Sequence, residues 1–209
     1  MNVVLYGATG MIGSRIQREL VSRGHTVTAV VRDPSRVESN PAVKAVKGDL
    51  TDAADVAAKV KGADAIISAY NAGAGTERVL LDAVQALIAG AKTAGVSRAI
   101  VVGGAGSLYV APGVTVIDSG HLPEELKPIA TAHRDALEIL READLDWTYL
   151  SPAAFIQPGE RTGKFRLGKD DLVADAKGES RISAEDYAVA LVDELEQPKH
   201  IRQRFTLAY

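Results

Sequence analysis

Seven residues near the start of the chain, Gly7-Ala8-Thr9-Gly10-Met11-Ile12-Gly13, constrain its fold more than any other stretch. They follow an apolar strand, Val3-Val4-Leu5-Tyr6, and open a helix over Ser14 to Arg23. A second, β-branched strand runs from Thr26 to Val31 and ends at Arg32-Asp33-Pro34. Strand, glycine turn, helix and strand in that order give three glycines a meaning that a bare triplet lacks. Gly7 lets the chain turn sharply where a Cβ would clash. Gly10 lets the backbone approach a pyrophosphate, and Gly13 lets the helix pack close to the strand. The helix N-terminus then offers free N–H groups and a partial positive charge to an anion. The expected ligand is a dinucleotide.

The rest of the chain keeps this rhythm. Val43 to Lys47 reads as a strand, and Thr51 or Asp52 caps a helix to Val60. Ala63 to Ser68 is a strand, Thr76 to Ala94 a helix ended by Gly95, and Ser97 to Val102 a buried strand. An irregular excursion occupies 108 to 123. A helix follows over Glu124 to Ala143, broken before Ile129 by Pro128, and then a strand over Asp146 to Leu150. Near-continuous apolar strands separated by helices predict an α/β fold, a doubly wound parallel sheet of Rossmann type with strand order 3-2-1-4-5-6. The segment 153 to 182 breaks the pattern. It reads as a substrate-side insertion in a single domain of residues 1–209, with a hairpin pairing Lys164–Leu167 with Asp171–Ala174. Ser183 then caps a helix to Leu195, and Arg204 to Tyr209 forms the last strand.

Composition narrows the chemistry. The 209 residues carry a net charge of −3, which speaks against nucleic acid and anionic membranes as partners. The absence of cysteine excludes disulfides and thiolate chemistry, and the four histidines show no metal-ligand spacing. No signal peptide or apolar run of membrane length is seen, so the expected location is the cytoplasm. Arg32 directly after the second strand, with Arg36 behind it, suits a ribose 2′-phosphate. NADP(H) is therefore expected over NAD(H), with NAD(H) admitted if Asp33 turns toward the ribose.

The motifs Gly7–Gly13, Val31-Arg32-Asp33-Pro34, Gly48-Asp49-Leu50, Gly103-Gly104-Ala105-Gly106-Ser107-Leu108, Leu145–Pro152 and Ile182–Ala188 together resemble the atypical short-chain dehydrogenase/reductase superfamily. Within it they are most similar to the NAD(P)H-dependent flavin reductase and biliverdin-IXβ reductase-like group. The resemblance covers essentially the whole chain. It implies that Gly7, Thr9, Gly10, Met11, Ile12 and Gly13 line the pyrophosphate and that Arg32 meets the 2′-phosphate. Asp49 and Leu50 would flank the adenine. Ser68, Ala69 and Tyr70 would lie beside the ribose and nicotinamide side, and Ser151 and Pro152 under the carboxamide.

One departure from the superfamily bears on the reaction. Many of its members carry a Tyr-x-x-x-Lys pair after the fifth strand. Here the lysine position holds His133 and the tyrosine position Ile129. Ser107, Tyr109 and His133 remain as candidate catalytic residues: a serine hydroxyl, a phenol or stacking ring, and an imidazole able to bond a ribose or donate a proton. The basic run Arg161, Lys164, Arg166 and Lys169 reads as a solvated face paired with neighbouring acids. The expected activity is hydride transfer from NAD(P)H to a flavin or other conjugated small molecule, which needs little acid–base help. The protein would act as a monomer or homodimer. The alternatives are a dinucleotide-sensing regulator similar to NmrA-like proteins and, behind it, a nucleotide-sugar epimerase or dehydratase.

Overall fold

The computed structural model describes residues 1–209. In chain order the elements are β1 (Asn2–Tyr6), α1 (Met11–Ser22), β2 (Thr26–Val31), β3 (Val43–Lys47), α2 (Ala53–Val60), β4 (Ala65–Ser68), α3 (Val79–Ala94), β5 (Arg98–Val102), β6 (Tyr109–Ala111), β7 (Val114–Thr115), α4 (Lys127–Arg141), β8 (Asp146–Ser151), β9 (Phe155–Gln157), β10 (Arg166–Gly168), β11 (Arg181–Ser183), α5 (Ala184–Glu196) and β12 (Gln203–Ala208). Eight strands form one sheet in the order β10-β12-β8-β5-β4-β1-β2-β3. Read from β3, the first six follow the expected 3-2-1-4-5-6 order, and all are parallel. The strand order reverses between β1 and β4, and a crevice at such a reversal is where ligands bind in this architecture.

Helices α1 and α5 share one apolar cluster on one face, built on Leu5, Ile16, Leu20, Ile67, Tyr187 and Leu191. Helices α2, α3 and α4 cover the other face through Val56, Leu87, Leu137 and Trp147. Covering both faces explains why Val3–Leu5, Ala65–Ile67 and Ala99–Val101 are continuously apolar. Caps fall where local chemistry puts them. The Asp52 carboxylate accepts the Ala54 and Asp55 N–H groups at the start of α2. Gly95 closes α3 at φ +72°, and the Ser183 hydroxyl accepts the Asp186 N–H at the start of α5.

Two readings from the sequence need correction. Lys164–Leu167 does not pair with Asp171–Ala174. Instead β10 pairs antiparallel with β12 in the register Arg166↔Ala208 and Gly168↔Thr206, while Asp171 bridges to Tyr109. The reason is burial: β12 is interior from Arg204 to Ala208 and needs a hydrogen-bonding partner on its outer edge. The Glu124–Ala143 helix is also shorter than read. Glu124–Leu126 is a 3₁₀ turn, and α4 starts at Lys127 with Pro128 in its first turn, where the missing N–H costs nothing.

A polar knot ties α5 to the sheet at the amino ends of β5 and β8. Glu194, with a side chain only 3% exposed, faces Arg98 at 3.2 Å and accepts the His200 N–H and Nδ1 at 2.9 and 2.8 Å. Arg98 also donates to the Asp146 carbonyl and the Thr148 hydroxyl. A Glu194→Ala substitution leaves the Arg98 charge buried without its partner and is expected to cost about 3–5 kcal/mol. Urea unfolding measures this; a loss below about 1 kcal/mol would show that the knot is not holding α5.

Candidate active site

Gly7 leaves β1 at φ +78°, and a Cβ there would stand 2.4 Å from the Ala69 carbonyl oxygen, so the turn is pressed against the end of β4. A Cβ on Gly13 would stand 2.0 Å from the Gly7 carbonyl oxygen. Gly10 donates to that same oxygen at 3.0 Å and caps α1 without a side-chain bond. The first N–H to donate within the helix is that of Ser14, to Gly10. The N–H groups of Met11, Ile12 and Gly13 thus have no protein partner, and the first turn holds no acidic residue. The turn has the features that suit an anion: free donors, a positive helix end, and no side chain at Gly10 in the way. Thr9 is half-buried beside it, Met11 is exposed, and Ile12 packs on the core.

The carboxyl end of β2 is cationic. Arg32 and Arg36 are exposed and form no ion pair. Asp33 is used locally. Its Oδ1 accepts the Ser35 hydroxyl at 2.7 Å and the Ser35 N–H at 3.1 Å, which holds the carboxyl below its ordinary range. Asp49 closes a similar turn with the N–H and hydroxyl of Thr51, and these bonds, then the Arg32 charge, lower its carboxyl too. Tyr70 is half-buried; burial raises its hydroxyl and the nearby Arg32 opposes the rise. Arg32, Asp49 and Tyr70 therefore gather at the ends of β2, β3 and β4. Leu50 departs from expectation: its side chain is core, packed among Val4, Tyr6 and Val30, so only its main chain is left for an adenine contact. Ser68 is buried and Ala69 half-buried, with the Ala69 N–H bound to the Tyr6 carbonyl.

At the other end of the crevice, Ser151 and Pro152 end β8, both buried. The Ser151 hydroxyl has no hydrogen-bond partner in the protein. The three candidate catalytic residues are not brought together by any mutual hydrogen bond. The Ser107 hydroxyl, read as a possible catalytic group, accepts the Arg204 guanidinium at 2.8 Å. Arg204, buried in β12, also holds the Ser107 carbonyl and Asp170. Tyr109 is exposed on β6, its main chain bonded to Asp170 and Leu172.

His133 lies against Gly104 and Tyr149, and burial pulls its imidazole down to about 4. Burial favours the neutral imidazole, which counts against the expected role of proton donor and leaves that of bonding a ribose. Two residues missed in the sequence organise this end. Tyr149 and Arg204 read there as ordinary members of apolar strands, and only pairing across β8 and β12 shows what they hold.

Two of the four basic residues are held, though not by the neighbouring acids expected of them. Arg161 makes two 2.8 Å bonds to the buried Glu19 of α1, and Arg166 donates to the Ala174 and Tyr209 carbonyls. Around Arg161, the fully buried Asp186 accepts the N–H groups of Thr162 and Gly163, and Glu185 accepts that of Gly159. The segment 159–163 is thereby strapped to the N-terminal turn of α5 and the flank of α1.

The depressed His133 ionisation makes a signed prediction. The folded state holds a neutral imidazole down to about pH 4, whereas the unfolded chain takes the proton near 6.5. Stability is unaffected above pH 6.5 and falls as pH drops from there toward 4. The residue's share of the loss is about 2 kcal/mol between pH 7 and pH 5. The difference in urea stability between the two pH values should shrink by that amount in His133→Gln; an unchanged difference would refute it.

Comparison with known proteins bears on the fold and on the family. Residues 7–198 match a family described as NAD(P)H-binding. A Burkholderia pseudomallei structure, provisionally named as an exported protein, is 50% identical over the whole of both chains with a TM-score of 0.92. A Bacteroides thetaiotaomicron structure provisionally named an epimerase is 44% identical over all of this chain and 96% of its own, with a TM-score of 0.93. A Streptococcus pneumoniae structure provisionally named an NADH-flavin reductase is 36% identical over all of this chain and 99% of its own, with a TM-score of 0.87. No helix is long and apolar enough to cross a membrane. With its glycine cradle, its parallel sheet and a match over most of its length, the chain belongs to the NAD(P)H-binding family.

Proposed function

We propose that this protein is an NAD(P)H-dependent reductase that passes hydride to a flavin or a related conjugated acceptor such as a quinone or tetrapyrrole. One observation carries the reading: a dinucleotide cradle stands beside a crevice end whose buried titratable groups hold no proton ready to give. Burial keeps His133 neutral, and the buried Tyr149 hydroxyl spends its proton on the His133 carbonyl. Such a site suits an acceptor whose ring system takes up the negative charge itself, and it does not suit reduction of an isolated carbonyl.

The bound nicotinamide would supply the hydride; the residues here supply binding and orientation. The Met11, Ile12 and Gly13 N–H groups take the pyrophosphate. Arg32 and Arg36 take a 2′-phosphate, so NADPH is preferred, because Asp33 is turned back onto Ser35. Asp49 and the main chain at Leu50 border the adenine, with Ser68, Ala69 and Tyr70 beyond them. Ser151 and Pro152 sit under the carboxamide, at the carboxyl end of β8. Residues 153–182 form the acceptor side of a single domain, and the chain works in the cytoplasm as a monomer or homodimer.

Purified protein is expected to oxidise NADPH when given FMN, riboflavin or a quinone. Tight NADPH binding without turnover across that panel would instead indicate a dinucleotide sensor. Arg32→Ala should raise the KM for NADPH by roughly tenfold or more, the value of one charged hydrogen bond, and change that for NADH less than about threefold. Equal losses with both cofactors would overturn the NADP(H) preference.

A further inference from the structure

Behind the carboxyl end of β5, three groups share one hydroxyl. Tyr149 is fully buried, and its hydroxyl donates to the His133 carbonyl at 2.8 Å and accepts the Gly104 N–H at 3.1 Å. The Nδ1 of His133 stands 3.4 Å from the same oxygen. A phenol has one proton to give and two lone pairs to receive. With that proton on the carbonyl, the oxygen meets the imidazole only as an acceptor. A hydrogen bond between them requires the hydrogen on Nδ1. A neutral ring has just one, so Nε2 is left as a bare lone pair. Nε2 has no protein partner, and the side chain keeps a small exposed edge, 9% of the residue.

We propose that Tyr149 is a positioning residue that fixes His133 in its Nδ1–H form, so that Nε2 accepts a hydrogen bond from the nicotinamide half of the bound dinucleotide. The proposal rests on the dinucleotide reading and names a contact within it. Position supports it. A Cβ on Gly104 would come 2.8 Å from the His133 Cβ and 3.3 Å from its Cδ2, so the glycine is what lets the ring rise to the end of β5. β5 stands two strands from β1, about 10 Å at the usual strand spacing. A dinucleotide anchored at α1 and lying across the carboxyl ends of the strands brings its second half to that point. An acceptor there pairs with a sugar hydroxyl or a carboxamide N–H and disfavours a phosphate or carboxylate.

The experiment is ¹⁵N NMR of the full chain with labelled histidine, His133 being identified by the signal lost in His133→Gln. The free protein should show a protonated Nδ1 and an unprotonated Nε2. Adding NADP⁺ should shift Nε2 while backbone amides of the glycine turn also move. 2′-Phospho-ADP-ribose, which keeps the 2′-phosphate and the second ribose but has no carboxamide, separates the two donors: a shift with it assigns the hydroxyl, and a shift only with NADP⁺ assigns the amide. Tyr149→Phe should mix the two ring forms and weaken NADP⁺ binding by roughly tenfold, the value of one hydrogen bond. A protonated Nε2 in the free protein overturns the proposal. So does an unmoved Nε2 when the glycine-turn amides shift, an outcome that leaves the dinucleotide reading standing. If the amides do not respond either, the dinucleotide reading fails and the proposal with it.

Discussion

The contact on which the site depends is the approach of α1 to the carbonyl of Gly7. The Gly13 backbone comes so near that a single methyl would stand 2.0 Å from that oxygen. The same carbonyl takes the Gly10 N–H, and Gly7 itself is wedged against Ala69 at the end of β4. One turn thus fixes β1, α1 and β4 relative to each other, with three free N–H groups pointing out of the junction. A longer side chain at either position separates the helix from the strand, and with it the donors from the crevice.

The crevice built around that turn is electrically uneven. Its β2–β3 end carries two unpaired guanidinium groups, and the one carboxylate that could oppose them in the same turn is occupied by Ser35. Its β5–β8 end holds a buried imidazole, a buried phenol and an unpartnered serine hydroxyl, and the Arg204 charge beside them is matched by Asp170. The division follows from strand order, which places the polar ends of β2 and β3 on one side of the reversal and the apolar β5 and β8 on the other.

Most of the parallel sheet was legible because its strands are apolar runs bounded by turn residues, a pattern that needs no tertiary information. Val43–Lys47 matches its strand residue for residue. The turns at Asp33 and Asp49 are local, each closed by a serine or threonine two residues on. What could not be read depends on partners far away in the chain. Phe165-Arg166-Leu167 looks like half of a hairpin until β12 is seen to lack an outer neighbour. The glycines at 103, 104 and 106 suggested a loop around an active serine. In the fold they make room for the Tyr149 ring, His133 and Ile117, while that serine is drawn to Arg204, nearly a hundred residues on. The Arg98–Glu194 pair gave no local sign either, since neither residue is unusual for a strand or a helix.

The pairing of α1 with α5 has a consequence for how the protein is made. Ile16 and Leu20 of α1, with Leu5 and Ala29 beneath them, are covered by Tyr187, Leu191 and Leu195, which follow about 170 residues later. At ordinary rates of synthesis that interval is roughly ten to thirty seconds. Through it the nascent chain holds a finished glycine turn and an unfinished wall beside it. The N-terminal half cannot bury its own apolar surface; it must wait for the C-terminal helix or be shielded until that helix emerges from the ribosome.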